Sequence, residues 1–195
     1  MKVLMVFDQT QAGLGGKESP DLAMGGKPMA IGSCHMFEKT LTDMGGSICA
    51  TLYCGDGTFA QDPDTNGKRF AAMSKKLNPD VVICGPCFNY GNYGKMAAKT
   101  AQTINELTNI PAFAIMSEEC GAAIDEFKDH GTILKMPKKG GTGLPQSLAM
   151  MCEFALKLAK KEDVSEMIRE HAYQSKALLI TWKAAVLLLF FFPNT

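Results

Sequence analysis

The chain has 195 residues, enough for one domain with a sizeable core, and 46% of them are hydrophobic. Lysine and arginine together number 20, as do aspartate and glutamate, so no basic surplus favours nucleic acid as a partner. Seven cysteines spread along the chain do not suit a small disulfide scaffold and favour reduced thiols in the cytoplasm.

Apolar runs alternate with helical patterns along the first 160 residues. The N-terminal run lacks the long apolar stretch and cleavage site of a signal peptide, so it predicts a first strand. The helical patterns place apolar residues three or four positions apart, on one face. In chain order we predict strand 2–7, loop 8–27, helix 29–44, strand 47–53, helix 63–77, strand 81–84, helix 91–107, strand 112–116, strand 132–136 and helix 144–160.

This alternation predicts a doubly wound α/β fold with a mostly parallel sheet, a Rossmann-like or flavodoxin-like three-layer sandwich. The run 81–84 is apolar without alternation, as expected of a strand that is buried on both faces. Ligands of such sheets bind beyond the carboxyl ends of the strands. Five polar loops are predicted to meet there in one cleft, namely 8–9, 54–56, 85–93, 117–119 and 137–143.

The segment 85–94, Gly-Pro-Cys-Phe-Asn-Tyr-Gly-Asn-Tyr-Gly, is the most informative of these loops. Its glycines allow the backbone to approach a ligand, and Asn89 and Tyr93 bring polar groups to the same place. Cys84 and Cys87 also enclose Gly-Pro, which matches the Cys-Gly-Pro-Cys sequence of thioredoxin-type redox sites. The segment therefore has two interpretations, a small-molecule site or a thiol redox site.

The redox interpretation has three observations against it. Cys84 lies within the apolar run, residues 88–91 delay the start of the next helix, and no tryptophan precedes the first cysteine. A helix that starts late does not direct its dipole at Cys84, so the thiol pKa is not lowered. We predict a core cysteine at Cys84 and a small turn residue at Cys87, with a thiol–disulfide oxidoreductase as the alternative.

Other short motifs fail on spacing. The loop 13–18 has Glu18 where a dinucleotide fingerprint needs glycine and where a phosphate loop needs serine or threonine. Cys49 and Cys54 are separated by four residues, not the usual two, and the three histidines are scattered. We predict neither a nucleotide site in this loop nor a metal site.

Acidic residues at the strand ends are the better candidates for ligand binding. A carboxylate in the cleft, at Asp56 or Glu119, can bind an ammonium group through a charge-assisted hydrogen bond. The competing interpretation is helix capping, because Asp56 and Glu118 precede helical patterns. The sequence alone leaves these two roles equally supported.

Four blocks of the chain together resemble a known family, the selenoprotein subunit of component B of the glycine, sarcosine and betaine reductases. The resemblance extends from Met1 to about Lys161. The blocks are Asp-Gln at 8–9 with Ala-Gly-Leu-Gly-Gly-Lys-Glu at 12–18, Cys-Gly-Asp-Gly-Thr-Phe at 54–59, the loop at 85–94, and Ile-Pro-Ala at 110–112 followed by Glu119.

This resemblance implies that the chain is the substrate-binding part of component B. Component B reductively cleaves the C–N bond of glycine or an N-methylated glycine, and the complex gives acetyl phosphate plus ammonia or amine. The implied partners are a component B subunit with a pyruvoyl-type carbonyl group, selenoprotein component A and acetyl-phosphate-forming component C. The implied setting is cytoplasmic amino-acid fermentation without a membrane.

The resemblance and the loop positions also suggest roles for individual residues. Asn89 is expected to bind the substrate carboxylate or to line the cleft, and Tyr93 to offer a hydroxyl or a cation–π face. Asp56 or Glu119 is expected to offset the ammonium charge. No cofactor is expected in this chain itself, because the family's selenocysteine lies in a second half that the sequence does not contain.

The C-terminal part departs from the family pattern. Only nine apolar residues follow Lys183, whereas a membrane-spanning helix needs about 20. We therefore predict a family domain over 1–161 and an atypical tail over 162–195, either non-native or truncated, with the isolated fragment inactive. A non-catalytic binding or assembly domain is the second alternative function.

Overall fold

The apolar runs of the sequence form the strands of one sheet. The computed structural model describes residues 1–88 and 92–174. Within these ranges the strands and helices are β1 (Lys2–Phe7), β2 (Gly25–Lys27), α1 (His35–Asp43), β3 (Ser47–Tyr53), α2 (Asp56–Gln61), α3 (Pro63–Leu77), β4 (Val81–Cys87), α4 (Tyr93–Leu107), β5 (Ala112–Ser117), α5 (Gly121–Phe127), β6 (Ile133–Met136), α6 (Leu144–Ala159) and α7 (Ser165–His171).

The sheet has the order β2-β3-β1-β4-β5-β6. Strand β2 runs antiparallel to β3, and every other neighbouring pair is parallel. The chain leaves β1 towards β3 on one side and then crosses to β4 on the other. The carboxyl ends of these three strands therefore surround a topological switch point, where open α/β sheets place their ligands. The predicted doubly wound, mostly parallel fold is confirmed.

Helices cover both faces of the sheet, as a three-layer sandwich requires. Leu4 and Val6 of β1 pack in one core with side chains of α3, α4 and α5. The alternate residues Val3, Met5 and Phe7 pack in a second core with α1 and α6. Because successive side chains of a strand point to opposite faces, the central strand is apolar at every position after Lys2.

Local signals explain where the well-predicted elements begin and end. In α3 the Asp62 side chain accepts a hydrogen bond from the Thr65 amide at 3.0 Å, and Pro63 occupies the first helical turn. Asn78 ends the helix in the left-handed conformation, with φ 46°. The predicted range 63–77 is therefore confirmed at both ends.

The short elements were missing from the prediction. Strand β2 falls inside the predicted loop 8–27, and α2, α5 and α7 have only six or seven residues each. Such short segments do not complete two helical turns, so they show no clear periodicity. The predicted helix 29–44 is a 3₁₀ turn at Gly32–Cys34 followed by α1.

Strand β4 continues three residues beyond its predicted end at Cys84. Its register against β5 shifts between Cys84 and Cys87, which accommodates Gly85 and Pro86 within the strand. Gly85 has φ +131°, and a Cβ there would lie 2.6 Å from the Ile115 carbonyl oxygen, so no other residue fits. The predicted turn at 85–87 was wrong, because the bulge keeps these residues in the sheet.

Residues after 161 continue to pack on the same body as far as the structure describes them. Val164, Met167 and Ile168 contact the core between α1, α6 and the sheet. Ala172 bridges to Leu134 of β6 in antiparallel fashion. The predicted division at residue 161 stays a prediction.

Candidate functional site

Asp8 is the first residue after β1 and is fully buried. Its Oδ1 atom accepts a hydrogen bond from the Gln11 amide at 2.6 Å, and its carbonyl accepts one from the Ala12 amide at 3.0 Å. Its Oδ2 atom is buried and has no hydrogen-bond partner in the part of the chain that the structure describes. Burial, with a smaller effect of the Asp56 charge, raises the pKa of Asp8 to about 6.

Gln9 ties the end of β1 to the end of β3. Its Nε2 atom donates to Asp56 Oδ1 at 3.0 Å, and its Oε1 atom accepts from the Asp56 amide at 3.0 Å. Both residues are buried, so this reciprocal pair fixes the Gln9 side chain and both strand ends.

Asp56 also holds the start of α4. Its Oδ2 atom accepts a hydrogen bond from the Asn92 amide at 2.8 Å. Asp56 is the first residue of α2, whereas Gly55 is the N-cap residue of that helix. The carboxylate therefore joins the segments that follow β1, β3 and β4. The alternative interpretation from the sequence, that Asp56 caps the helix it precedes, is wrong, because the side chain makes no capping hydrogen bond to α2.

The segment that leads to β2 closes over these strand ends. The Pro20 carbonyl accepts from the Thr58 amide at 2.9 Å, and the Leu22 carbonyl accepts from the Gly55 amide at 2.8 Å. A Cβ on Gly55 would lie 2.2 Å from the Pro20 carbonyl oxygen, so glycine is needed for this close approach. The glycine-rich N-terminal loop is thereby held against the start of α2.

A cavity of about 280 Å³ lies between this loop and the strand ends. Its volume suits a small ligand, since pockets for drug-sized molecules begin at about 300 Å³. The lining combines acceptors, donors and a positive charge, and contains no aromatic ring among the described residues. The lining residues are Gln9, Thr10, Lys17, Pro20, Asp56, Gly57 and Asn92.

A larger groove of about 570 Å³ lies between α2, α3, α4 and α5 and also reaches Asn92. Two ion pairs span its wall, Lys95 with Glu126 and Lys99 with Asp64, each at 2.7 Å. The smaller cavity, in contrast, lies at the switch point of the sheet, where open α/β folds bind their ligands. We therefore assign the candidate ligand site to the smaller cavity.

The four predicted site residues do not all meet at this cavity. Asp56 lines the cavity. Asn89 lies outside the described residues. Glu119 is exposed in a 3₁₀ turn after β5, where its Oε2 atom accepts from the Ser117 hydroxyl at 3.5 Å, and it does not line the cavity. Of the described candidates, only Asp56 reaches this cavity.

Tyr93 is fully buried at the start of α4. Its hydroxyl donates to the Val6 carbonyl at 3.0 Å, so it holds α4 against β1. Burial raises its pKa well above the usual value. With no exposed ring face and an engaged hydroxyl, this position does not support the expected contact with a methylated ammonium group.

Cys84 and Cys87 are both fully buried in β4. Burial raises the pKa of each thiol well above its usual value, which removes the thiolate that disulfide exchange requires. Cys87 also occupies the core instead of the predicted turn. The structure therefore gives no support to the redox alternative.

Asp8, Gln9 and Thr10 were not chosen as site residues from the sequence, although their loop was. The available signal was a polar triplet directly after a fully apolar strand. Burial of Asp8 and the pairing of Gln9 with Asp56 depend on contacts between segments 47 residues apart, which spacing does not reveal.

Among the described residues, no group of three or more His, Cys, Asp or Glu could hold a metal ion. No helix in the described ranges is long and apolar enough to cross a membrane.

The family resemblance that the sequence motifs indicated is also found over most of the chain. The model of the family described as glycine/sarcosine/betaine reductase selenoprotein B matches residues 1–181. The chain belongs to this family. The selenoprotein B match extends beyond residue 161, where the motif resemblance ended, and the resemblance itself is confirmed.

Three curated relatives of the selenoprotein B family come from Peptoclostridium acidaminophilum. Glycine reductase complex component B subunit gamma is 30% identical over 173 residues, covering 87% of this chain and 38% of the relative. Sarcosine reductase complex component B subunit beta is 26% identical, covering 83% and 36%. Betaine reductase complex component B subunit beta is 22% identical, covering 84% and 36%. The chain thus spans less than two-fifths of the length of these relatives. No solved structure matches it significantly.

Proposed function

We propose that this chain is the substrate-binding part of component B in a glycine, sarcosine or betaine reductase complex. The observation that carries the proposal is the cavity at the ends of β1 and β3, where the Asp56 carboxylate lines a space of small-molecule size. The chain's membership of the selenoprotein B family gives this cavity a candidate ligand, a small amino acid or its N-methylated form.

The charges of the cavity suit a zwitterion. An ionised carboxylate has about four lone-pair sites, and Gln9 and Asn92 each fill one at Asp56, so the group can still accept from a substrate ammonium. Lys17 lines the same cavity and brings a positive charge for the substrate carboxylate. Asn89, whose position falls between β4 and α4 in the sequence, remains a proposed contact.

In this proposal the complex as a whole performs the reaction. It reductively cleaves the substrate C–N bond, releases ammonia or amine and yields acetyl phosphate. A partner component B subunit supplies a pyruvoyl-type carbonyl, component A is a second selenoprotein, and component C forms acetyl phosphate. The setting we propose is the cytoplasm of a cell that ferments amino acids.

The selenium chemistry is not supplied by the residues of this chain. Its 195 residues include no selenocysteine. Cys84 and Cys87 do not replace it, because their buried thiols stay protonated at neutral pH. We therefore propose that this chain alone is inactive. The alternative of a non-catalytic assembly domain predicts binding to partner subunits without any binding of substrate.

The test is a ligand titration by calorimetry or NMR with the 195-residue chain and three variants. We expect saturable binding of at least one of glycine, sarcosine and betaine. Asp56→Asn should weaken it at least tenfold, because the amide lacks the charge that attracts the ammonium group. Glu119→Gln should leave affinity within twofold, as should Asp43→Asn, an exposed carboxylate at the end of α1.

Thermal unfolding of each variant separates lost binding from lost structure, since Asp56 also joins three loops. Absence of saturable binding would contradict the proposed function. So would an Asp56→Asn protein that folds and binds as the unmodified chain does. A loss of affinity in Glu119→Gln alone would move the site to the loop after β5.

A further inference from the structure

A groove separate from the candidate ligand site lies between helix α3 and β2, the strand at one end of the sheet. Its volume is about 370 Å³, and Ala50 and Leu52 of β3 form its floor. Met73 and Leu77 form its helical wall, and Leu77 keeps 36% of its surface exposed. The groove is therefore an apolar depression that is open to solvent.

Gly26 of β2 keeps this groove open. A Cβ there would lie 2.7 Å from Leu52 Cδ2 and 3.6 Å from Met73 Cε, so a side chain at this position would enter the groove. The φ angle of Gly26 is not in the left-handed region, so the backbone does not require glycine here. What this glycine provides is space for a side chain from elsewhere.

Each side of the groove carries a lysine. Lys27 follows Gly26 on β2, Lys76 lies on α3, and both are exposed and line the groove. Neither lysine takes part in a salt bridge among the described residues. The described residues of the lining also include no Asp or Glu. An occupant that carries carboxylates beside an apolar side chain would therefore be attracted to both sides.

We propose that this groove binds an extended acidic segment of a partner protein, which inserts an apolar side chain between β2 and α3 and directs carboxylates to Lys27 and Lys76. Strand β2 has only three residues and is followed by Pro28, which lacks an N–H, so side chains carry this contact more than strand pairing does. The inference goes beyond the proposed function and does not depend on it.

Charge also decides between this occupant and two others. A second copy docked groove to groove would place lysines against lysines, which is repulsive. Residues 175–195 of the chain contain two lysines and no Asp or Glu, so their side chains supply no carboxylate for the groove. An acidic partner segment is the better match for both sides.

The experiment measures the binding of three fluorescently labelled peptides with blocked ends to the 195-residue chain at pH 7.5, by fluorescence anisotropy. The peptide Glu-Leu-Glu-Leu-Glu should bind saturably, because it has both the apolar and the acidic feature. Glu-Ser-Glu-Ser-Glu and Lys-Leu-Lys-Leu-Lys each lack one feature and should bind about tenfold more weakly. Raising the salt concentration from about 0.05 M to about 0.5 M should weaken binding of the acidic peptide, since salt screens exposed charges.

Two kinds of variant locate the binding. Lys27→Glu combined with Lys76→Glu should weaken the acidic peptide about tenfold and strengthen the basic one, because both sides of the groove change sign. The matched control combines Lys39→Glu in α1 with Lys160→Glu at the end of α6, two exposed lysines on helices of the other face of the sheet. It changes the net charge equally and should leave both affinities within about twofold. Gly26→Val should abolish binding of the acidic peptide, since its side chain enters the groove.

Thermal unfolding establishes that each variant is folded. Saturable binding of the acidic peptide that depends on Lys27 and Lys76 and is blocked by Gly26→Val supports the inference. Absence of saturable binding would overturn it, as would an equal loss in the control pair, which is the result expected from net charge alone. A dimer of the unmodified chain in sedimentation velocity that dissociates in Gly26→Val would assign the groove to a second copy and would also overturn the inference.

Discussion

At the residue scale, Asp8 is a carboxyl group whose folded environment opposes ionisation. It is fully buried at the end of β1, and its pKa is raised from 3.8 to about 6. The nearby titratable groups are Asp56, which adds repulsion, and Cys87 and Tyr93, whose raised pKa values keep them neutral at neutral pH. Charging Asp8 in the folded state therefore costs about 3 kcal/mol.

The sign of the resulting pH dependence follows from proton linkage. Below about pH 4 Asp8 is protonated in both the folded and the unfolded chain, so its burial does not lower the free energy of unfolding there. As the pH rises towards about 6, the unfolded chain releases this proton while the folded chain retains it. The free energy of unfolding therefore falls across this window through Asp8, and the contribution is constant at higher pH.

We predict that Asp8→Asn removes this pH-dependent fall in the free energy of unfolding. Relative to the unmodified chain, the variant should gain up to about 3 kcal/mol of unfolding free energy between pH 4 and pH 7, because the amide has no charge to bury. Urea unfolding at a series of pH values measures the difference, with the exposed Asp43→Asn as control. Parallel pH profiles for Asp8→Asn and the unmodified chain would show that Asp8 does not titrate in this way.

Individual residues also show what the sequence reveals about the site. Asp56 was identified because a polar residue after an apolar strand must lie near the carboxyl edge of a parallel sheet. The same rule places Tyr93 in that region but does not state where its ring points. The Tyr93 hydroxyl reaches the Val6 carbonyl, 87 positions away, and only the packed structure shows that contact.

At the element scale, β4 depends on one glycine. Gly85 has φ +131°, and a methyl group there would lie 2.6 Å from the Ile115 carbonyl oxygen of β5. We predict that Gly85→Ala lowers the free energy of unfolding by about 3 kcal/mol or more, through backbone strain combined with displacement of the neighbouring strand. Urea unfolding at pH 7.5 measures this loss.

The control substitution for this prediction is expected to raise the free energy of unfolding instead of lowering it. Gly121 begins α5, and a Cβ there would meet no atom within 4 Å. Gly121→Ala should therefore raise the free energy of unfolding by up to about 1 kcal/mol, since alanine loses less conformational freedom in a helix. A Gly85→Ala protein as stable as Gly121→Ala would contradict the role assigned to the bulge in β4.

Elements differ in how far the sequence predicts them. Strand β1 and helix α3 were predicted correctly because a buried central strand is apolar throughout and α3 has a clear cap at each end. The continuation of β4 through Gly85 and Pro86 was not, because that pair usually signals a turn. What keeps it in the sheet is pairing with β5, a tertiary contact that overrides the local preference.

At the scale of the whole molecule, the chain matches less than two-fifths of the length of its selenoprotein B relatives. Its described residues form a six-stranded sheet with a cavity of small-molecule size at the switch point. The chain carries no selenocysteine. Under the proposed function, this domain recognises the amine and the reduction takes place elsewhere in the complex.

We predict that the 195-residue chain releases no ammonia from glycine above the chain-free background when it is supplied with a dithiol reductant. The reason is that Cys84 and Cys87 are buried with raised pKa values, so no thiolate from this pair attacks carbon or sulfur at neutral pH. A complete glycine reductase complex validates the ammonia assay. Ammonia release that disappears in a Cys87→Ser protein whose thermal unfolding shows it to be folded would instead indicate that the chain is itself a thiol catalyst.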